Sequence, residues 1–319
     1  MMWLDAIAGV VTGDALGCPV QFMSREEIAA NPVTGMRGYG TFGLPEGSWT
    51  DDSSLTLAAL YSIAQTKSLD PEDIMKRFVR WYSDGEYTPY GYSFDIGFGT
   101  SEAIENYMKG ADIASCGGNY ERNNGNGSLM RIMPACLYCT EMQRRGEMTD
   151  SEAVSTIHTI SALTHAHLRS KIACGLYYFA ARSIANGDGA FIDRLQKGLD
   201  EGFVFYKKDI ENLQDLSFYG RLSNLYEFIN TDAPDIRSSG YVVHSLEAAV
   251  WCLIKTNTLR DALLTAVNLG EDTDTVGAIC GGLAGLYYGY EDIPEEWLAV
   301  IKKRDEIEEI CRTAEKAFE

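Results

Sequence analysis

The hydrophobic and polar positions of the chain recur mainly with the period of an α-helix. One clear example begins at Asp70-Pro71, where an N-cap acceptor precedes proline at the first helical position, and it ends at Gly85. Between these points, Ile74, Phe78 and Trp81 supply the apolar face. The same period predicts further helices after Asp52 and over residues 152–163, 168–185, 245–255, 259–269, 276–290 and 294–317.

Alternation typical of a β-strand is rare. The nearest example is Phe203-Val204-Phe205, and the mixed polar and aromatic residues 203–238 show no clear period. Glycines gather in three loops, at residues 35–47, 85–99 and 117–127, and no linker, repeat or low-complexity segment divides the chain. We therefore predict an all-α fold in which residues 1–319 form a single compact multi-helix domain.

Glycine also occurs inside one predicted helix, at Gly277, Gly281, Gly282 and Gly285. Each interior glycine costs a helix about 1 kcal/mol relative to alanine. The segment is too short, and too acidic at its ends, for a membrane-spanning helix. The glycines therefore indicate a central helix whose backbone packs closely against a neighbour.

Charge narrows the choice of partners. The chain has 46 acidic and 27 basic residues, which gives a formal net charge of −19. A surface of this sign repels nucleic-acid phosphates and anionic lipids, so we expect no nucleic-acid or membrane partner. Asp5 stands where a secretory leader carries basic residues, so we expect a cytoplasmic protein whose eight scattered cysteines are reduced and mostly buried.

Two acidic clusters close glycine-rich loops at opposite ends of the chain, Thr50-Asp51-Asp52 and Asp272-Thr273-Asp274-Thr275. Read singly, each is typical of an ordinary helix N-cap. Read together, they supply the oxygen ligands that Mg²⁺ and Mn²⁺ prefer, and such cations would relieve the repulsion among the carboxylates. We therefore predict a two-metal centre with ligands from both clusters.

A glycine-rich segment in the middle of the chain, Gly125-Asn126-Gly127-Ser128, is typical of a diphosphate-binding loop. Backbone N–H groups of its glycines and of Ser128 would face an anion at the start of the helix that follows. Asn126 and Arg131 could add hydrogen bonds. A flexible loop would give the same glycine pattern, and Arg131 could instead pair with a buried acid.

Taken in order, these segments resemble the motifs of the ADP-ribosylglycohydrolase family, which includes dinitrogenase reductase-activating glycohydrolases and ADP-ribosylarginine hydrolases. The matching segments are Gly13-Asp14-Ala15-Leu16-Gly17, 47–52, Asp95-Ile96-Gly97, 125–131, His165-Ala166-His167, Gly240-Tyr241-Val242 and 270–275. The resemblance implies an all-α fold around two Mg²⁺ or Mn²⁺ ions, with Asp274 as a bridging ligand. The implied metal ligands are Thr50, Asp51, Asp52, Asp272, Asp274 and Thr275.

The resemblance also implies roles around the metal centre. Asp95 matches a general acid or base of the arginine-directed members, although a loop-capping aspartate would show the same pattern. Tyr241 matches a residue that meets adenine, with a core tyrosine as its alternative. His165 and His167 match a His-x-His motif of the family, with a core histidine as the alternative, above all for His167. Gln21 stands where the family often has glutamate, so a carbonyl ligand is kept and a negative charge is lost. The implied substrate-binding residues are Gln21, Gly125, Asn126, Gly127, Ser128, Met130, Arg131, His165 and Tyr241.

The implied reaction is metal-dependent hydrolysis of the bond between ADP-ribose C1″ and a protein side chain. The Asp95-Ile96-Gly97 match favours ADP-ribosylated arginine as the substrate, with ADP-ribose as the product. One alternative is another ADP-ribosyl linkage, on serine or on a small molecule. A second is a catalytically silent ADP-ribose-binding or structural member of the family. The intact acidic clusters favour an enzyme, because a structural protein has no physical need for them.

Overall fold

Two helices from opposite ends of the chain, α1 (Met2–Gly17) and α14 (Thr273–Tyr288), form the centre of the fold. Their backbones touch because glycines face one another. A Cβ added to Gly13 would lie 2.0 Å from the carbonyl oxygen of Gly277, and one added to Gly281 would lie 2.0 Å from another α1 carbonyl oxygen. The predicted close packing of this helix is confirmed, and it fixes the second acidic cluster against the end of α1.

The computed structural model describes residues 2–318, and most of them are helical. The remaining α-helices are α2 (Arg25–Ala30), α3 (Asp51–Thr66), α4 (Pro71–Asp84), α5 (Phe98–Met108), α6 (Met133–Arg144), α7 (Asp150–Ala162), α8 (Leu168–Asn186), α9 (Phe191–Tyr206), α10 (Leu213–Leu216), α11 (Leu225–Phe228), α12 (Val242–Lys255), α13 (Leu259–Val267), α15 (Glu295–Leu298) and α16 (Arg304–Ala317). Helices α3, α6, α13 and α16 pack on α1, while α8, α12 and α13 pack on α14.

Local sequence explains the bounds of α4. The Asp70 carboxylate accepts hydrogen bonds from the backbone N–H groups of Glu72 and Asp73, at 3.0 and 3.3 Å. Gly85 ends the helix in the left-handed conformation, with φ 70°. The buried face of the helix includes Phe78, as its spacing predicts.

The prediction of one helix over residues 294–317 is wrong. The chain forms α15, leaves the helical path, and resumes at α16 after Lys303, which has φ 57°. The reason is tertiary: the backbone N–H of Lys302 donates to the Gly47 carbonyl at 3.0 Å, and Trp49 Nε1 donates to the Lys302 carbonyl at 2.9 Å. The break therefore holds the loop that leads into the first acidic cluster.

The segment that showed no period is a series of short helical turns. The strand-like run Phe203-Val204-Phe205 lies within α9, and after it come 3₁₀ turns and the one-turn helices α10 and α11. In place of a sheet, residues 2–318 contain two isolated bridges, Gly118 with His165 and Gly125 with Tyr241. The all-α prediction is confirmed.

Apolar side chains from the long helices form one continuous buried core. The eight cysteines are buried thiols, as expected from their spread along the chain. Within the described part of the chain, no helix is long and apolar enough to span a bilayer.

Candidate active site

A cleft of about 330 Å³ opens where the two acidic clusters meet. Thr50 and Asp274 are buried immediately behind its surface. The predicted site residues in its lining are Gln21, Asp51, Asp52, Asp95, Gly125, Asn126, Gly127, Met130, His165, Asp272 and Thr275.

Asp14, near the end of α1, holds the first acidic cluster in place. Its carboxylate accepts hydrogen bonds from the backbone N–H groups of Thr50 and Ser53, each at 3.0 Å, and from Ser53 Oγ at 2.5 Å. The start of α3 is thus capped from another helix. The carboxylates of Asp51 and Asp52 are not consumed in that capping, and they line the cleft.

The second acidic cluster is held by the glycine-rich loop. Asn126 Nδ2 donates to Asp272 Oδ2 at 2.7 Å and to Ser245 Oγ at 2.9 Å. Thr275 Oγ1 donates to Asp52 Oδ2 at 3.4 Å, so a hydrogen bond joins the two clusters directly. Residues that are 223 positions apart in the sequence therefore share one site.

We call the five aspartates at the base of the cleft the acidic floor: Asp14, Asp51, Asp52, Asp272 and Asp274. Burial raises the pKa of each of them, and that of Asp14 reaches about 7. For Asp51, Asp52 and Asp274, the negative charges of neighbouring aspartates raise the pKa further. The floor is therefore poorly stabilised as a set of carboxylates.

Several oxygen atoms of the floor have no partner. Asp52 Oδ1, Asp274 Oδ2 and the neighbouring Gln21 Oε1 are buried and accept no hydrogen bond. In residues 2–318, no three Asp, Glu, His or Cys side chains already converge on one point as a metal site. The donors here are mixed, since hydroxyl groups of Thr50 and Thr275 lie among the carboxylates. Oxygen donors of this kind, left unsatisfied in a buried site, fit hard divalent cations.

Three residues beside the floor have strained backbones. Phe22, Asp95 and Glu271 lie in the left-handed region, with φ values of 67°, 55° and 63°. Phe22 and Glu271 are tied together, because the backbone N–H of Phe22 donates to the Glu271 carbonyl at 2.7 Å. Strain of this kind is typical of functional sites, where surrounding contacts hold it in place.

Asp95 lines the cleft and interacts with Gln21 and Asp274. Burial raises the pKa of its carboxyl group, and hydrogen bonding with Gln21 and Asp274 opposes the shift. The raised pKa favours a protonated carboxyl group, which could serve as a proton donor.

The rest of the lining is built around His165. A Cβ added to Gly127 would lie 2.8 Å from its Cε1, and Cβ atoms on Gly99 and Gly125 would lie 3.1 and 3.3 Å from its Nε2. We call these three glycines and His165 the glycine cradle. Only residues without side chains leave the imidazole exposed to the cleft at this distance.

The hydrogen bonds of His165 bear on its tautomer. Burial lowers the pKa of His165 to about 3, with the charge of Arg131 acting in the same direction, so the ring is neutral. Arg131 Nη2 donates to Thr164 Oγ1 at 2.8 Å, and this oxygen lies 2.8 Å from His165 Nδ1. The Thr164 hydroxyl has one proton and a second lone pair, so it can donate to Nδ1 or accept from an Nδ1–H group. In the arrangement in which Thr164 donates, the single ring proton is on Nε2, beside the glycines of the cradle.

The structure does not bring every predicted substrate-binding side chain to the cleft. Ser128 is fully buried and bonded to Ser161 at 2.9 Å. Arg131 pairs with no acid in its contacts: it donates to Thr164 and packs on the Phe78 ring, 4.7 Å from the centroid. The helix after this loop starts only at Met133, so the loop is not a helix N-terminus.

Two further predicted residues lie behind the lining. Tyr241 is half-buried, with its hydroxyl accepting a hydrogen bond from Arg169 at 3.0 Å and its ring edge-on to His244. His167 caps α8, because its Nδ1 accepts the backbone N–H of Arg169 at 3.2 Å. Its position is that of a structural histidine, the alternative considered for it.

Sequence reasoning missed the orienting role of Asp14 and several cleft residues, which are Phe22, Phe98, Gly99, Thr100, Arg122 and Asn123. Asp14 carried a signal, since it is an acidic residue that ends the mainly apolar run after Asp5. Phe98 and Arg122 carried none, because an exposed phenylalanine and a loop arginine are common on protein surfaces.

Comparisons with known proteins show what the chain is similar to. Residues 3–319 match the family model described as ADP-ribosylglycohydrolase. The chain is 33% identical to ADP-ribosylarginine hydrolase Tri1 of Serratia proteamaculans, over 98% of this chain and 78% of that protein. It is 29% identical to ADP-ribosyl-[dinitrogen reductase] glycohydrolase of Rhodospirillum rubrum, over 96% of this chain and 92% of that protein.

A solved structure shows the same architecture. It is described as an ADP-ribosylglycohydrolase-related protein complex, and it matches with a TM-score of 0.77 at 28% identity. The match covers 100% of this chain and 98% of the other.

Proposed function

The chain belongs to the ADP-ribosylglycohydrolase family, and from this premise we propose that it removes ADP-ribose from modified arginine side chains of proteins. The relatives named ADP-ribosylarginine hydrolase, at 33% and 31% identity, support the arginine linkage. The observation that carries the proposal is the pairing of the acidic floor with the glycine cradle in one cleft. The floor suits cations and ribose hydroxyls, while the neutral imidazole offers a proton donor to an anionic ligand.

We propose that two divalent cations, Mg²⁺ or Mn²⁺, complete the acidic floor. The unpartnered oxygens of Asp52 and Asp274 and the raised pKa values of the floor support this cofactor. When bound, such ions supply Lewis acidity at the ribose. The residues that would hold them are Thr50, Asp51, Asp52, Asp272, Asp274 and Thr275.

The remaining steps fall to side chains of this chain. Asp95, with its raised pKa, gives a proton to the departing arginine nitrogen and then, as a carboxylate, takes one from the attacking water. His165 donates from Nε2 to an oxygen of the diphosphate, and Asn126 keeps Asp272 in position. Gly127 leaves the space that this contact needs.

The test is release of ADP-ribose from a peptide that carries one ADP-ribosylarginine, compared with the same peptide carrying ADP-ribosylserine. Each is assayed with Mg²⁺, with Mn²⁺ and with a chelator. We expect faster release from arginine, and release only with a divalent cation. Well-folded protein that releases nothing from either peptide would refute the proposed activity. Faster release from serine would move the proposal to that linkage, and full activity in chelator would refute the cofactor.

A further inference from the structure

One side of the cleft continues into a surface of aromatic side chains, which we call the aromatic wall. Each ring contacts the next one along the surface. The distance between ring centroids is 6.4 Å for Phe22 and Phe42, 5.3 Å for Phe42 and Phe94, and 6.1 Å for Phe94 and Tyr92. Tyr90 follows Tyr92, also at 6.1 Å. The members of the wall, with Tyr39 from the same loop as Phe42, are Phe22, Tyr39, Phe42, Tyr90, Tyr92 and Phe94.

The wall is exposed although its residues are large and apolar. Phe22, Tyr39 and Tyr92 are 68%, 77% and 50% accessible, and Phe42, Tyr90 and Phe94 are only partly buried. Contiguous apolar surface of this kind marks interaction sites on soluble proteins. Aromatic residues in particular supply the binding energy of many protein interfaces.

Backbone strain holds two members of the wall outward. Phe22 and Tyr39 have φ values of 67° and 59°, a conformation that bulky residues rarely adopt. The Tyr39 loop is closed by a hydrogen bond from its backbone N–H to the Leu44 carbonyl at 2.6 Å. It packs so closely on the chain beside the cleft that a Cβ on Gly40 would lie 1.7 Å from the Pro19 carbonyl oxygen. The strain is therefore maintained by tertiary contacts and presents the rings to solvent.

The wall is continuous with the reaction site. Phe22 itself lines the cleft, and Phe94 directly precedes Asp95. Asp95 is the residue that the proposed reaction places beside the departing arginine nitrogen. A polypeptide attached to that arginine must leave the cleft near Asp95, and the exposed surface at this point is aromatic.

We propose that the aromatic wall binds the polypeptide that carries the modified arginine, with a preference for flanking arginine or lysine residues. This inference rests on the proposed function and names the partner surface of that site. Cationic side chains gain by lying over aromatic rings, and the net charge of −19 attracts a basic segment. The wall thus distinguishes a modified protein from a free ADP-ribosylated amino acid.

The experiment compares two substrates with the same reacting bond: free ADP-ribosylarginine, and a peptide with one ADP-ribosylarginine flanked by arginines. The variant is Tyr39→Asn with Tyr92→Ser, since asparagine tolerates the left-handed conformation of position 39. Neither residue lines the cleft. We expect kcat/KM for the peptide to fall about 25-fold, through KM, because each of the two aromatic anchors supplies about a fivefold gain. The value for free ADP-ribosylarginine should stay within about twofold of the wild type.

A matched control is Tyr226→Ser, which removes a tyrosine that is 54% accessible on α11, and it should leave both substrates unaffected. Equal losses on both substrates, or no loss on the peptide, would overturn the proposal. A peptide flanked by glutamates that is cleaved as well as the arginine-flanked one would overturn the basic preference. Wild-type protein that cleaves neither substrate would instead refute the proposed function, so the two failures are distinguishable.

Discussion

The acidic floor and the glycine cradle bound the same cleft and are equally buried, yet burial moves their titratable groups in opposite directions. It raises the pKa values of the floor aspartates and lowers that of His165 to about 3. Both shifts favour the uncharged form, because a low-dielectric site penalises charge of either sign.

The two parts differ in the kind of atom that lacks a partner. In the cradle, Thr164 lies 2.8 Å from His165 Nδ1 and accepts from Arg131, whose Nε and Nη1 have no partner. In the floor, the atoms without a partner are the acceptors Asp52 Oδ1 and Asp274 Oδ2. The comparison supports the proposed cations at the floor, because unpartnered acceptors attract a cation and a buried arginine repels one. Variants that change one part and leave the other intact test this contrast.

The largest effect is expected from Asp274→Asn, which removes a charge from the floor at nearly constant size. Release of ADP-ribose should fall by about 10³-fold, since a lost metal ligand costs several kcal/mol of transition-state stabilisation. In chelator, however, the variant should be more stable than the wild type by about 1–3 kcal/mol, because a buried, repelled carboxylate is gone. Activity assays and urea unfolding measure the two quantities.

The exposed Asp188 provides the control for this change, and Asp188→Asn should alter neither quantity. A variant at Asp274 that is less stable than the wild type in chelator would show that the floor is not under electrostatic stress. Retained activity would show that Asp274 is not a ligand.

Gly127→Ala tests the cradle and should have the next largest effect. Its Cβ would lie 2.8 Å from His165 Cε1 and 3.1 Å from Thr100 Oγ1, so the imidazole must move. Misplacement of a binding group on this scale costs about 10–100-fold in kcat/KM. Thermal stabilisation by Mn²⁺ should be unchanged, since the floor is untouched. Gly220→Ala is the control, because a Cβ there has no neighbour within 4 Å; if the two variants behave alike, the cradle does not depend on glycine.

The sequence predicts much of the fold, because most helix bounds are set by residues inside the helix or next to it. The bounds of α4 follow from a cap, a proline and a glycine that all lie within the helix or beside it. The wrongly predicted single helix over residues 294–317 has a distant cause, because the break in it is held by Gly47 and Trp49, which lie far away in the chain. A local sequence pattern does not predict such a contact.

The candidate site, too, has features that local motifs predict and features that depend on distant contacts. The two acidic clusters were visible as motifs, and their meeting in one cleft is confirmed by the Asp52–Thr275 hydrogen bond; the metals they would hold stay a prediction. The sequence does not predict which side chains of the glycine-rich loop face the cleft, because Asn126 and Arg131 are both polar residues of the same segment. In the folded chain, Asn126 donates to Asp272 and Arg131 donates to Thr164, and both partners are distant in sequence.

Thr164→Val sharpens the comparison by leaving the cradle glycines in place and removing one hydrogen bond. Without the hydroxyl, Nδ1 of His165 loses its partner and Arg131 loses an acceptor. We expect KM to rise about tenfold with a smaller change in kcat, and the unfolding free energy to fall by about 1–3 kcal/mol. Thr164→Ser should restore both. NMR of the imidazole nitrogens provides a direct measurement: an Nε2–H tautomer that persists in Thr164→Val would contradict the proposed orienting role.

The smallest effect is the response of the cradle to acid. Because the pKa of His165 is about 3 in the folded chain and near 6.5 when unfolded, the unfolded state binds a proton first as the pH falls. Stability is therefore lost as the pH falls through 6.5, by about 1.4 kcal/mol at pH 5.5 from this residue. His165→Gln should remove that part of the difference in unfolding free energy between pH 8 and pH 5.5.

His158 provides the control. Burial lowers its pKa to about 4, and it lies outside the cleft lining, so His158→Gln should remove a similar part of the difference while leaving KM unchanged. If His165→Gln keeps the wild-type pH dependence, the imidazole is not held neutral by its burial, and the contrast with the floor fails at that residue.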